Sequence, residues 1–176
     1  MPKSSKEKIE DDKQNVLMEL QKNSSDSVNV IAKRLGFSRQ KVWRIIKDFE
    51  NTNTIWGYNA VIDDEKTGRK RFFVLLKRSY KPATEEKVNI VVKRDLRKVA
   101  TELGVELEGS YYINGVYDWL MCITADSINQ VKRFCDSFST VFKGTYVSDI
   151  HILEVMFPIE RNGFNNPNLE EFKKFF

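Results

Sequence analysis

The sequence predicts an α+β chain in two units, on three observations. Residues 11–51 carry three short helical stretches, the last two joined by a turn of about three residues. From residue 72 onward the order is strand, helix, strand, strand, helix, strand. Hydrophobic residues make up 41% of the 176, with 12 Phe, 6 Tyr and 3 Trp, enough apolar material to close a core. The first unit reads as a helix-turn-helix and the second as a ferredoxin-like βαββαβ domain.

Residues 1–10 form a polar tail rich in Lys and Ser, expected to be flexible. From Asp11 the pattern is helical. Val16, Leu17 and Leu20 share a face, Asp11 and Asp12 suit a positive helix start, and Asn23-Ser24-Ser25 ends the run. Ser27 is placed to cap a second helix over residues 28–35, which stops at Gly36, a residue able to take the left-handed conformation of a tight turn. Ser38 caps a third helix over residues 39–51 whose inward stripe is Val42, Ile45, Ile46 and Phe49. Small Ala32, then Gly36, then branched Val42 set the spacing of a helix-turn-helix over residues 11–53.

Residues 54–70 read as an extended linker, with strand character over 54–63 from Ile55, Trp56, Tyr58, Val61 and Ile62 and a loop around Gly68. Residues 71–160 hold the second domain. Phe72 to Leu76 is an apolar strand; residues 85–104 form one helix with Val88, Val92, Leu96, Val99 and Leu103 on a face; residues 107–113 form a strand. Asn114-Gly115 signals a type I′ hairpin, so residues 116–124 return antiparallel. Ile128, Val131, Phe134, Cys135 and Phe138 mark another helix, and residues 147–157 a last strand closed by Pro158. The apolar outer face of such a sheet would be left wet in a monomer, which points to pairing with a second copy. Residues 161–176 add a helical tail, capped by Asn168 with Glu171, that docks on its own domain through Leu169, Phe172 and Phe176.

Composition excludes several chemistries. Cys122, Cys135 and His151 are too few for a four-ligand zinc site, and the two Cys read as buried thiols in a reducing cytosol. His151 alternates with Leu153, Val155 and Phe157 on one strand face and reads as a hydrogen-bonded packing histidine. Gly104 and Gly109 have P-loop spacing, but Ser110 stands where the phosphate-gripping Lys belongs. Neither a cofactor nor a metal is expected. With the longest apolar run at residues 72–76, no membrane span is expected either, and the chain is placed in the cytoplasm, at the nucleoid.

Charge placement is more informative than net charge, which is only +4. Residues 27–47 contain Lys33, Arg34, Arg39, Lys41, Arg44 and Lys47 and no acid, and without these six the rest of the chain has fewer basic than acidic residues. Lys33, Arg34, Ser38, Arg39, Gln40, Lys41, Trp43, Arg44 and Lys47 are therefore the candidate contacts to double-stranded DNA. Arg suits guanine O6 and N7, Gln suits adenine, and Lys neutralises phosphates. Trp43 suits either a thymine methyl or packing on a neighbouring helix.

With IAKRLGFSRQKVWRIIKDFE, then TIWGYNAVID with its Gly57-Tyr58, then INGVYDWLMCITA with Gly115-x-x-Asp118, the chain resembles the Lrp/AsnC family of transcriptional regulators from residue 11 to about 160. That resemblance implies a DNA-binding homodimer, with tetramers and octamers as larger forms, modulated in many members by an amino acid. It puts Gly115, Tyr117 and Asp118 near the effector site. The chain departs from the family in its basic loop around Gly68, its long helix from Glu85 to Gly104 and its C-terminal tail. Two alternatives remain open. Siroheme decarboxylases share the resemblance and would make this an enzyme, marked by a heme-precursor spectrum. An effector-binding module whose helix-turn-helix has lapsed would show no DNA sequence preference.

Overall fold

The computed structural model describes residues 5–142 and 146–176, in two compact units, residues 1–61 and 62–176. The first unit holds α1 (Ser5–Lys22), α2 (Val28–Leu35) and α3 (Arg39–Asn51). Helix α1 begins six residues before Asp11, because Lys6, Glu7, Lys8 and Glu10 are themselves good helix formers; residues 1–4 of the expected tail lie outside the described residues. Val16 and Leu20 of α1 pack on Ile31 and Ala32 of α2 and on Val42, Ile45, Ile46 and Phe49 of α3. Burying each large aliphatic or aromatic side chain contributes about 1.5–3 kcal/mol.

The turn between α2 and α3 is built as its residues dictate. Ser27 Oγ accepts from the Val30 amide at 3.4 Å and Ser38 Oγ from the Lys41 amide at 3.2 Å, so both N-caps are made. Gly36 sits at φ 66°, and the Phe37 amide closes back on the Ala32 carbonyl at 2.9 Å. A Cβ at Gly36 would meet nothing within 4 Å, so the cost of adding one lies in the backbone alone. Gly36→Ala is expected to lower stability by about 1–2 kcal/mol, the left-handed penalty for an L-residue. Gly115→Ala, at an open site without positive φ, is expected to stay within about 0.5 kcal/mol of wild type, and urea titration of both variants checks the pair.

The second unit runs β1 (Lys70–Arg78), α4 (Glu85–Val92), α5 (Asp95–Glu102), β2 (Glu106–Tyr112), β3 (Trp119–Ala125), α6 (Ile128–Val141) and β4 (Val147–Glu154). The strands order β2-β3-β1-β4, every pair antiparallel, which is the ferredoxin-like arrangement. Phe72, Val74 and Leu76 of β1 and Met121 and Ile123 of β3 point to one face, against Leu96 and Ala100 of α5 and Val131, Phe134 and Phe138 of α6. By alternation and register, Phe73, Leu75, Leu120, His151 and Leu153 lie on the other. Helix α6 starts with a capping box in which Gln130 reaches back to the Ser127 amide at 3.2 Å.

Four expectations are corrected. The helix over residues 85–104 is two helices, broken where Arg94 takes φ 56°; Val88 and Val92 of the expected stripe are exposed, while Leu96 and Ala100 alone are fully buried from these helices. After the break, Leu96 and Ala100 of α5 join the core with β1, β3 and α6. The Asn114-Gly115 turn is not a two-residue type I′ turn: residues 113–118 form a longer loop, closed by the Ile113 amide on the Asp118 carbonyl at 2.9 Å, and neither Asn114 nor Gly115 has positive φ. The strand-prone linker at 54–63 forms no strand, and Trp56 is 96% exposed. Strand propensity needs a neighbouring ladder to act on, and this segment has none in the single chain.

The fourth correction concerns the C-terminus. Strand β4 ends at Glu154, and a small hairpin follows, β5 (Glu160–Arg161) with β6 (Phe164–Asn165), then a 3-10 turn over Leu169–Phe175 rather than an α-helix. The Asn168 side chain makes no cap bond. Phe172 and Phe175 pack on Phe157, with ring centroids 5.6 and 5.9 Å apart, so the tail meets its own domain, but not through the expected face: Leu169 and Phe176 are exposed.

Candidate nucleic-acid interface

Helix α3 presents its apolar stripe inward and leaves Arg39, Gln40, Trp43, Arg44 and Lys47 exposed. The six cations of residues 27–47 do not act alike, because acids from other parts of the unit reach three of them. Arg34 donates to Glu19 at 3.1 Å and to Asp26, tying α2 to α1 and the loop between them. Lys41 pairs with Asp12 at 2.5 Å and lies 3.8 Å over the Phe37 ring. Lys47 pairs with Glu50 at 2.5 Å. Among the described residues, Lys33, Arg39 and Arg44 show no hydrogen bond or ion pair, and these three retain their full donor capacity toward an incoming anion. Ser38 is occupied as the N-cap of α3. Trp43 is half exposed, with its ring available on the surface.

Several residues that organise this surface carry no signal in a motif. Glu19 is buried, and hydrogen bonds from Lys22 and Arg34 outweigh burial to hold its carboxyl below the ordinary range. Lys13 of α1 reaches Asp48 of α3 at 2.6 Å. Tyr58 donates to Glu50 at 3.2 Å, so the tyrosine of the Gly57-Tyr58 signature anchors the chain leaving α3. The signal available in sequence was the acids of α1 at helical spacing, which reads as a solvated face until the partner helices are in place.

In the second unit, Gly115 lies exposed in the 113–118 loop, and the Tyr117 ring meets His151 edge-on at 5.4 Å. His151 sits in β4, but its side chain is not buried as a packing histidine; it is exposed and bonded to Asp149 at 2.9 Å. Asp118 accepts from the Arg78 amide at 2.9 Å and pairs with its guanidinium at 3.3 Å. The two charges border a crevice floored by Leu76, Leu96, Trp119 and Phe142, which in the single chain has about 10 Å³ of room, enough for about one water molecule. Cys135 is buried, and burial pushes its thiol up to about 12, while Cys122 is half-buried; both are free thiols. Among the described residues no group of three His, Cys, Asp or Glu is arranged to hold a metal ion, and no helix is long and apolar enough to cross a membrane.

Residues 13–55 match the family described as winged helix-turn-helix DNA-binding. No curated protein matches the chain. Among solved structures, an AsnC family transcriptional regulator from Agrobacterium tumefaciens is 23% identical, with 85% of this chain and 91% of that one covered at a TM-score of 0.59. The fold is that of the Lrp/AsnC regulators. LrpC of B. subtilis is similar across 91% of this chain and 99% of its own, at 19% identity and a TM-score of 0.58. A transcriptional regulator from Neisseria meningitidis, solved as a complex with L-Met, covers 89% and 95% at 18% identity and a TM-score of 0.64. Among the described residues no strand lies between α3 and β1.

Proposed function

We propose that the chain is a sequence-specific DNA-binding transcription regulator of the Lrp/AsnC type. The observation that carries this reading is the exposed face of α3, where Arg39, Gln40 and Arg44 are exposed, as is Lys33 of α2, and among the described residues no acid is paired to any of them. Arg44 and Gln40 are assigned to base edges. Lys33 and Arg39 are assigned to phosphates, and Arg34, Lys41 and Lys47 to holding the unit together, with a weaker phosphate role. Two copies pair through the outer sheet face around Phe73, Leu75, Leu120 and Leu153, and the dimer places two α3 helices in successive major grooves about 10 base pairs apart or a multiple of that. The experiment is selection of bound fragments from random DNA, followed by footprinting across a salt series. A pseudo-palindromic site is expected, with binding that weakens steeply with salt. Absence of a protected site at every salt concentration overturns the reading.

An amino-acid effector is assigned to the Arg78–Asp118 pair, which offers a cation for a carboxylate and an anion for an ammonium at the mouth of an apolar crevice. Because that crevice is small, the effector is taken up with movement of its walls or against a second copy. The similar Neisseria protein was solved as a complex with L-Met, which supports an amino acid as the class of effector.

A further inference from the structure

The C-terminal hairpin brings Arg161 onto a charged cluster at the start of the sheet. Arg71 of β1 is 6% exposed and donates to Asp64 at 2.7 and 2.8 Å, to Glu108 at 2.8 Å and to Cys122 Sγ at 3.1 Å. Arg161 Nη1 donates to the Ile62 carbonyl at 2.8 Å and to Asp64 at 3.1 Å, and its Nη2 lies 3.9 Å from Glu108. Burial would raise the Asp64 carboxyl, but the hydrogen bonds and charges of Arg71 and Arg161 outweigh it and hold Asp64 below the ordinary range. Two guanidinium groups and two carboxylates thus balance one another in a half-buried site built from four separate pieces of chain.

Two of those pieces have no other reason to meet. Ile62 is the first residue of the second unit, Asp64 begins the turn that leads into β1, and Arg161 comes from a segment beyond the last strand of the sheet. The turn itself hangs on Asp64, whose carbonyl accepts the amides of Thr67 at 3.1 Å and Arg69 at 3.0 Å. The tail segment is held in its turn by Asn166, which bonds the Ile159 and Pro158 carbonyls, and by the Phe157, Phe172 and Phe175 rings.

We infer that the C-terminal segment is a strap, and that Arg161 is a positioning residue that fixes the point at which the linker enters the second unit. Resting on the regulator reading above, the strap sets how widely the DNA-binding units of a dimer can range, and therefore how strictly the spacing of operator half-sites is read. A linker held at Ile62 and Asp64 is effectively shorter than one free back to β1, and a shorter tether searches less volume.

The test uses the full chain with Arg161→Ala and the milder Arg161→Lys, which keeps the charge but loses the fork that reaches Ile62, Asp64 and Glu108 together. In Arg161→Ala, hydrogen exchange of the amides of residues 66–69 is expected to rise roughly tenfold, with the helices of residues 28–51 unchanged. Arg161→Lys is expected to lie between Arg161→Ala and wild type. On DNA, both variants keep the affinity of wild type for a single half-site and accept a wider range of half-site spacings. Unchanged exchange at 66–69 in both variants overturns the strap, as does looser exchange with unchanged spacing preference. The exchange measurement needs no DNA, so a wild-type chain that protects no site would defeat the regulator reading separately.

Discussion

Arg44→Ala is expected to lower discrimination between the preferred site and its single-base variants by about 1–3 kcal/mol, while leaving the fold intact. Arg44 projects from α3, is exposed and among the described residues is held by no acid, so on the proposed reading its guanidinium would enter a groove without breaking an internal pair. A bidentate Arg contact to guanine is lost selectively: binding to the cognate sequence weakens, and binding to non-cognate DNA weakens little. Arg34→Ala is the informative contrast. Its side chain ties Glu19 and Asp26, so its removal is expected to destabilise the helical unit and to weaken all sequences together. Competition binding against a set of single-base variants separates the two. A uniform loss across the set for Arg44→Ala would assign Arg44 to a phosphate.

Arg71→Ala is expected to destabilise the second unit by on the order of 3 kcal/mol in urea unfolding, the low end for breaking a buried ion pair, since Arg161 remains beside Asp64 and Glu108. The cost comes less from the lost attraction than from two carboxylates left short of a cation in a site shielded from water. Replacing both Arg71 and Glu108 by Met and Gln is therefore expected to cost less than Arg71→Ala alone. The pH dependence has a definite sign. Asp64 is held below the value of about 3.9 of an unfolded aspartate, so its stabilisation is present above that pH and is lost as pH falls through the lowered value. Arg71→Ala should flatten this acid limb. A variant within about 1 kcal/mol of wild type would show that the cluster contributes little to stability.

Local chemistry was legible from the residues wherever a short stretch of chain answers to itself. Ser27, Gly36 and Ser38 take the caps and the left-handed turn that their side chains suit, and Val42, Ile45, Ile46 and Phe49 are buried together because a 3.6-residue period puts them on one stripe. The βαββαβ order followed from alternating periods in the same way. Asn114-Gly115 misled because the loop is closed by Asp118, whose carboxylate is also engaged by Arg78, and this longer closure overrides the two-residue turn. The linker misled because strand-prone side chains are not a strand without a ladder.

The candidate interface was legible in its position and not in its final membership. That residues 27–47 form a basic helix-turn-helix follows from the residues alone, since both the caps and the charges are local. Which of its cations are paired follows from packing: Asp12 and Glu19 lie far from Lys41 and Arg34 in sequence, and laying α1 across α2 and α3 brings them into contact. The same holds for Arg71, Asp64, Glu108 and Arg161, four charges that no local pattern along the chain links. A salt bridge depends on distance in space, and periodicity along a chain carries no information about that until the core has closed.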